Sequence, residues 1–224
     1  ARAAVGLDPR KRDYKSRIAA FRELARRDYE GDIDALLLFL DMTLADQDLR
    51  SREFNALKNS VLDLLTRREK LPEGLGAKLL GISMDRENDE TWREYAIQYL
   101  GACYEKAPAD EGGGTPGSER SKVLEAYSNA LEHKEGTLAG TALLGLEVLS
   151  RSHPEIDREE LAAKVRSLAD DDTCGEATRI TALRLCGTMG RTDALETLRT
   201  VAQTGASAML RMAALAALAD LGGP

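Results

Sequence analysis

One short helical pattern recurs along the chain, and it constrains the fold more than any other feature of the sequence. Residues 210–222 place an arginine after an apolar residue, continue with small and apolar residues at helical spacing, and reach Leu-Gly. The pattern returns at 92–101 and 178–187, and a weaker copy without the arginine lies at 138–146. The arginine position, or its substitute, moves in steps of 46, 40 and 32 residues. Such a period is typical of chains built from stacked helical repeats.

A second helical segment precedes each copy of this pattern, and turns rich in Asp, Gly or Pro separate the segments. Ser118, Asp157 and Thr192 stand where N-caps are expected. We therefore predict an all-α fold, an α-α superhelix of about five helix pairs preceded by one N-terminal helix near residues 11–28. The pairs are expected within a single domain over residues 1–224, at 33–67, 74–107, 118–152, 157–190 and 192–222.

The interval 108–117 differs from the rest of the chain because it lacks helical periodicity. It holds four glycines and two prolines, which favour turns and irregular backbone. The interval falls between two predicted pairs, so we expect a flexible surface loop rather than a domain boundary.

The repeated segments resemble the HEAT-repeat (armadillo-like) family of α-solenoids, most specifically over residues 175–222. A lone helical hairpin cannot bury its apolar stripe, so stacked hairpins share one extended core. We expect small residues to let helices approach closely, at Ala96, Gly101, Ala182, Gly187, Ala214 and Ala217. We expect large residues to fill the spaces between layers, at Leu100, Leu183, Leu215 and Leu218. The resemblance also implies a partial ladder between neighbouring repeats, formed by acidic turn residues and second-helix arginines. Asp46 precedes Arg52 by six residues, and Glu87 precedes Arg93 by six, as that ladder requires.

Stacked helix pairs create a concave face lined mainly by the second helix of each pair, and solenoids use this face to hold partners. The predicted function is therefore a non-enzymatic protein–protein interaction scaffold or adaptor that binds a protein partner there. The candidate partner-binding residues are the outward positions of two second helices: Glu94, Tyr95, Gln98, Thr181, Arg184 and Thr188.

The residues that carry chemistry elsewhere are sparse in this sequence. The two histidines, His133 and His153, stand beside predicted helix ends, and the three cysteines show no Cys-x-x-Cys spacing. We therefore predict no catalytic residue, no metal site and no cofactor. The alternative is an accessory or catalytic solenoid with a small-molecule pocket near the loop 108–117. A further alternative makes the chain one segment of a longer solenoid.

The net charge of −7 divides unevenly, since residues 1–27 carry +6 and the remainder carries −13. The basic segment suits either an acidic partner surface or the solvated face of a capping helix. An acidic body repels a phosphate backbone, so no nucleic-acid partner is expected. The longest apolar run, residues 35–40, is far shorter than a membrane span, so no transmembrane segment is predicted. The compartment stays open: cytoplasmic, or cell envelope if an upstream signal or anchor has been removed.

Overall fold

The computed structural model describes residues 18–19, 21–23, 26, 32–42, 51–108 and 117–222. Every regular element in these ranges is a helix, which confirms the predicted all-α class. The helices are α1 (Ile33–Leu40), α2 (Ser51–Thr66), α3 (Leu75–Met84), α4 (Glu90–Lys106), α5 (Glu119–Leu131), α6 (Leu138–Ser150), α7 (Arg158–Asp170), α8 (Glu176–Thr188), α9 (Leu195–Thr204) and α10 (Ala208–Asp220), with a 3-10 turn at Thr192–Ala194 before α9.

The chain divides into two compact units, residues 1–78 and 79–224. The prediction of a single domain over residues 1–224 stays a prediction. Most of the expected N-terminal helix near 11–28 lies outside the described residues, as do Asp46 and positions 109–116 of the expected loop.

An aromatic pair joins two helices of the first unit, where α1 packs against α2. The rings of Phe39 and Phe54 meet edge to face with centroids 5.4 Å apart, a geometry that aromatic quadrupoles favour. The Lys58 ammonium lies 5.0 Å from the Phe54 ring centroid. Asp41, just past α1, accepts a hydrogen bond from the ammonium of Lys78.

The second unit is a stack of helix pairs. Each second helix packs against the second helix of the next pair, in the order α4, α6, α8 and α10. The first helices α5, α7 and α9 each pack against the second helix of their own pair. This stacking is the arrangement predicted for an α-solenoid.

Small residues set the spacing between second helices, as predicted. A Cβ on Gly140 in α6 would lie 3.2 Å from the Cα of Thr178 in α8. A Cβ on Gly187 in α8 would lie only 2.6 Å from the Cα of Ala217 in α10. The prediction for Leu215 is wrong, because 56% of this residue is exposed on a side of α10 that no described helix covers.

The predicted caps are present at two of three helix starts. The prediction for Thr192 is wrong, because this residue lies inside the 3-10 turn and Ala194 is the residue that precedes α9. The Ser118 hydroxyl accepts the Ser121 N–H at 3.1 Å. The Asp157 carboxylate accepts the N–H groups of Glu159 at 2.8 Å and Glu160 at 3.1 Å. Each cap satisfies backbone donors that have no partner within the helix, and so fixes where α5 and α7 begin.

The repeated arginines act differently from the predicted ladder. Nε of Arg93 donates to the Ser83 carbonyl at 3.1 Å, and Nε of Arg179 donates to the Ala169 carbonyl at 3.1 Å. Both carbonyls belong to the last turn of the preceding first helix, where backbone acceptors lack helical partners. Glu87 instead donates its N–H to the Asp85 carboxylate at 3.0 Å. Within the described residues the Glu87 carboxylate pairs with no arginine, so the predicted ladder is absent at this turn, and Arg93 closes the end of the neighbouring helix instead.

Candidate binding surface

The second helices of unit 2 leave one side uncovered. Both α6 and α8 have second-helix neighbours on two sides and their own first helix on a third. Their exposed side chains therefore lie on the remaining side. We call this side of α4, α6, α8 and α10 the second-helix face.

The structure places the six predicted partner-binding residues on α4 and α8, with α6 packed between these helices. Gln98 and Thr188 are exposed, while the other four are half-buried. Of these four, Tyr95 keeps part of its ring accessible on α4. The two groups thus lie on one surface, although their role in binding stays a prediction.

Two of the predicted residues also brace neighbouring helices. The Glu94 carboxylate accepts the hydroxyl of Thr137 at 2.7 Å and that of Thr141 at 3.0 Å. These bonds join α4 to the start of α6. Nη2 of Arg184 lies 3.5 Å from the Asp220 carboxylate, with both side chains about 40% exposed, and such exposed pairs contribute about 0–1 kcal/mol. Glu94 therefore connects neighbouring repeats, whereas most of the Arg184 side chain's binding capacity stays available to a partner.

The sequence reasoning missed the centre of this surface. Leu144 and Val148 in α6 are 48% and 58% exposed. The 46- and 40-residue steps of the repeat place Leu144 in register with Gln98 and Arg184, so the repeat register already contained the signal. Three more large apolar side chains are exposed on α10: Met209, Met212 and Leu215.

A second feature is a group of polar side chains near the ends of the predicted loop 108–117, in which Tyr104 is buried and Glu105 is exposed. We call Tyr104, Glu105, Arg120, His153 and Glu155 the Glu155 cluster. The Tyr104 hydroxyl donates to Glu155 Oε1 at 2.8 Å, and Nη1 of Arg120 lies 3.3 Å from the same oxygen. His153 lies between the two carboxylates, with Nε2 3.1 Å from Glu105 and Nδ1 3.4 Å from Glu155. Tyr104 and Arg120 come shortly before and after the loop in sequence, so the cluster joins its two ends.

The surroundings of Glu155 keep its carboxylate ionised. Its own backbone N–H lowers the pKa most, and the Tyr104 hydroxyl, His153 and Arg120 lower it further against the opposing effect of burial. A carboxylate that already accepts several donors is a weak proton acceptor. These contacts therefore fit a structural role for Glu155, in which it holds the two ends of the loop together, better than a role as a general base.

Two cavities among the described residues of unit 2 bear on these groups. One of about 590 Å³ lies between α5 and α7, and Glu155 lines it. The other, of about 620 Å³, lies between the turn before α4 and the turn before α6, where Arg86, Arg93 and His133 line it. Burial, followed by the charges of Arg93 and Arg86, lowers the pKa of His133. That imidazole is therefore neutral at pH 7.

The thiols of unit 2 are unreactive by position. Burial raises the pKa of Cys103 to about 12 and that of Cys186 to about 11, so both are protonated at neutral pH. Among the described residues, no group of three or more His, Cys, Asp and Glu side chains is arranged to hold a metal ion. None of the helices in the described ranges is long and apolar enough to cross a membrane.

Comparison with known proteins gives little beyond this. No protein-family model matches the chain, and no curated protein matches it. Among solved structures, the chain is similar to the designed armadillo repeat protein YIII(Dq)4CqI, with 14% identity over 98% of each chain and a TM-score of 0.42. The stacked-pair architecture of unit 2 is established by the contacts of its own helices.

Proposed function

We propose that this chain is a non-enzymatic scaffold or adaptor that binds a protein partner on the second-helix face. One observation carries the proposal. Leu144 and Val148 on α6 are 48% and 58% exposed and form an apolar patch on this face, between the polar residues of α4 and α8. Contiguous apolar surface with a polar surround marks interaction sites in folded proteins.

The residues around these apolar side chains support a protein partner. Tyr95 on α4 and Arg184 on α8 flank α6, which carries Leu144 and Val148. Tyrosine and arginine are enriched among the residues that dominate interface energies. An apolar centre with polar flanks matches the core-and-rim composition of protein interfaces, while the −13 charge of residues 28–224 disfavours nucleic acid.

The test compares partner capture by variants that keep the fold. Tagged protein is incubated with lysate of its native cell, and the retained proteins are identified by mass spectrometry. Leu144→Ser with Val148→Ser removes the apolar centre and should abolish capture, as should Tyr95→Ala with Arg184→Glu. Met84→Ser is the matched control, because it removes an exposed apolar side chain outside the face. Unchanged recovery by both double variants contradicts the proposal.

A small-molecule site near the loop 108–117 is the second candidate. The Glu155 cluster lies at the ends of that loop, and Glu155 also lines the cavity of about 590 Å³. This candidate predicts a compound that raises the melting temperature of the wild type but not of Glu155→Gln. A screen in which no compound separates the two proteins contradicts it.

A further inference from the structure

The two helix layers of unit 2 are packed to different degrees between the pairs 118–152 and 157–190. The second helices α6 and α8 are in direct contact. Between the first helices α5 and α7 there is a groove of about 590 Å³, which we call the α5–α7 groove. Its volume is within the range of about 300–1,000 Å³ that is usual for binding clefts. The groove lies on the first helices and is therefore separate from the second-helix face.

The lining of the α5–α7 groove is apolar at its base. Leu131, Leu146, Ile156 and Leu161 line it and are buried, while Leu124 lines it and stays half-exposed. These side chains come from α5, α6, α7 and the segment before α7. Leu124 therefore leaves apolar surface in contact with water in the groove, and such surface favours an occupant that covers it.

The rim of the α5–α7 groove is acidic. Four carboxylates line it, from Glu132, Glu155, Asp157 and Glu160, against the single ammonium of Lys164. Lys164 is already engaged, since its Nζ lies 2.9 Å from Glu132. Glu160 is exposed. Glu155 is paired with Arg120 and Asp157 caps α7, so Glu160 is the carboxylate most available to an occupant. A cleft with an excess of one charge attracts the opposite charge, so this groove favours a cationic occupant.

We propose that the α5–α7 groove is a second docking site, which takes a basic amphipathic helix from a protein partner. Apolar side chains of that helix, at helical spacing, cover Leu124 and its neighbours at the base. Lysine or arginine side chains beside them reach Glu160 and Asp157 on the rim. Laying an amphipathic helix into an apolar groove is a recurrent mode of peptide recognition. The acidic rim favours a helix that carries lysine or arginine beside its apolar residues.

The probe is a fluorescein-labelled synthetic peptide with leucines at i, i+3, i+4 and i+7 and lysines elsewhere, titrated into the full chain. Two comparison peptides are used, one with glutamate in place of each lysine and one with the same residues in scrambled order. Glu160→Lys should weaken binding about tenfold or more. Glu196→Lys, the same charge change at an exposed site on α9 outside the groove, should weaken it less than about twofold.

A second variant tests the groove without altering charge. Ser128 is exposed and lines the groove, so Ser128→Trp fills it and should abolish binding while circular dichroism and melting temperature stay unchanged. The double variant Leu144→Ser with Val148→Ser should bind the peptide normally, which separates this proposal from the second-helix face.

Several outcomes overturn the proposal. One is that the wild type does not bind the probe, and another is that the glutamate or scrambled peptide binds equally well. Equal loss in Glu160→Lys and Glu196→Lys would mean general attraction to an acidic surface. Concentration-dependent self-association that Ser128→Trp abolishes would assign the groove to a second copy of the chain instead.

Discussion

Gly187 in α8 lies so close to Ala217 in α10 that a Cβ on the glycine would be 2.6 Å from the Cα of the alanine. Real Cβ atoms are essentially never this close to backbone. The contact joins the second helices of the last two pairs, and it allows their backbones to approach closely. The spacing of the stack therefore depends on a glycine at this position.

Gly187→Ala should lower the free energy of unfolding by about 1–3 kcal/mol, because the added methyl group forces the two backbones apart. Urea denaturation measures this change. Gly81→Ala in α3 is the matched control, since no described atom outside its own stretch of helix lies within 4 Å of its added Cβ. That substitution should be neutral or stabilise by about 0.5–1 kcal/mol, the gain from alanine in a helix. Equal losses in both variants would contradict the close contact.

Arg179→Ala should lower the free energy of unfolding by about 1–3 kcal/mol, because it removes a charged donor from the half-buried Ala169 carbonyl. Chemical denaturation again provides the measurement. Arg199→Ala, which removes an exposed arginine from α9, should change stability by less than about 0.5 kcal/mol. If Arg179→Ala and Arg199→Ala change the free energy of unfolding equally, Arg179 does not close the end of α7.

Glu155→Gln should flatten the acid side of the stability profile. The pKa of Glu155 is lowered in the folded protein, against about 4.3 in an unfolded chain. The contribution of its charge is therefore complete above about pH 5 and is lost as pH falls through the lower, folded pKa. Denaturation from pH 3 to pH 7 should show a gap between wild type and variant that narrows on the acid side. A gap that is constant with pH would refute this account.

Asp171 should titrate with a pKa of about 2, since the Thr173 hydroxyl, the Lys134 ammonium and the Thr173 N–H all stabilise its carboxylate. The hydroxyl lies 2.6 Å from Oδ1 and the ammonium 3.1 Å from Oδ2. Thr173→Val removes the first-ranked donor and should raise this pKa, as observed by NMR titration of the carboxyl carbon. Thr192→Val, at an exposed threonine elsewhere, should leave it unchanged; an unaffected pKa in Thr173→Val would exclude the hydroxyl as a cause.

The helix pairs of unit 2 could be predicted from the sequence because the same pattern occurs several times. Comparison of the copies distinguishes positions that must hold a small residue, such as Gly187, from positions where the residue varies. The error at Leu215 has a physical cause. A leucine at helical spacing is buried only if another helix covers it, and the pattern within α10 does not reveal which of its sides is covered.

The candidate surface could be predicted only in part, for a related reason. Outward, non-consensus positions predict Gln98 and Arg184, whereas Leu144 has the same register but is apolar, and an apolar residue in a helix does not by itself indicate exposure. The hydrogen bonds from Thr137 and Thr141 to Glu94 form because α4 and α6 are neighbours. A local sequence pattern does not show which helices are neighbours. The α5–α7 groove likewise arises from a gap between helices rather than from a motif.

Site-specific photocross-linking in the native cell tests the central claim most directly. A photoreactive phenylalanine analogue replaces Leu144, Gln98 or Lys122 one at a time; Lys122 is an exposed residue of the first helix α5. The account predicts cross-links to the same protein from positions 144 and 98 and none to that protein from position 122. Cross-links from position 122 alone would contradict it.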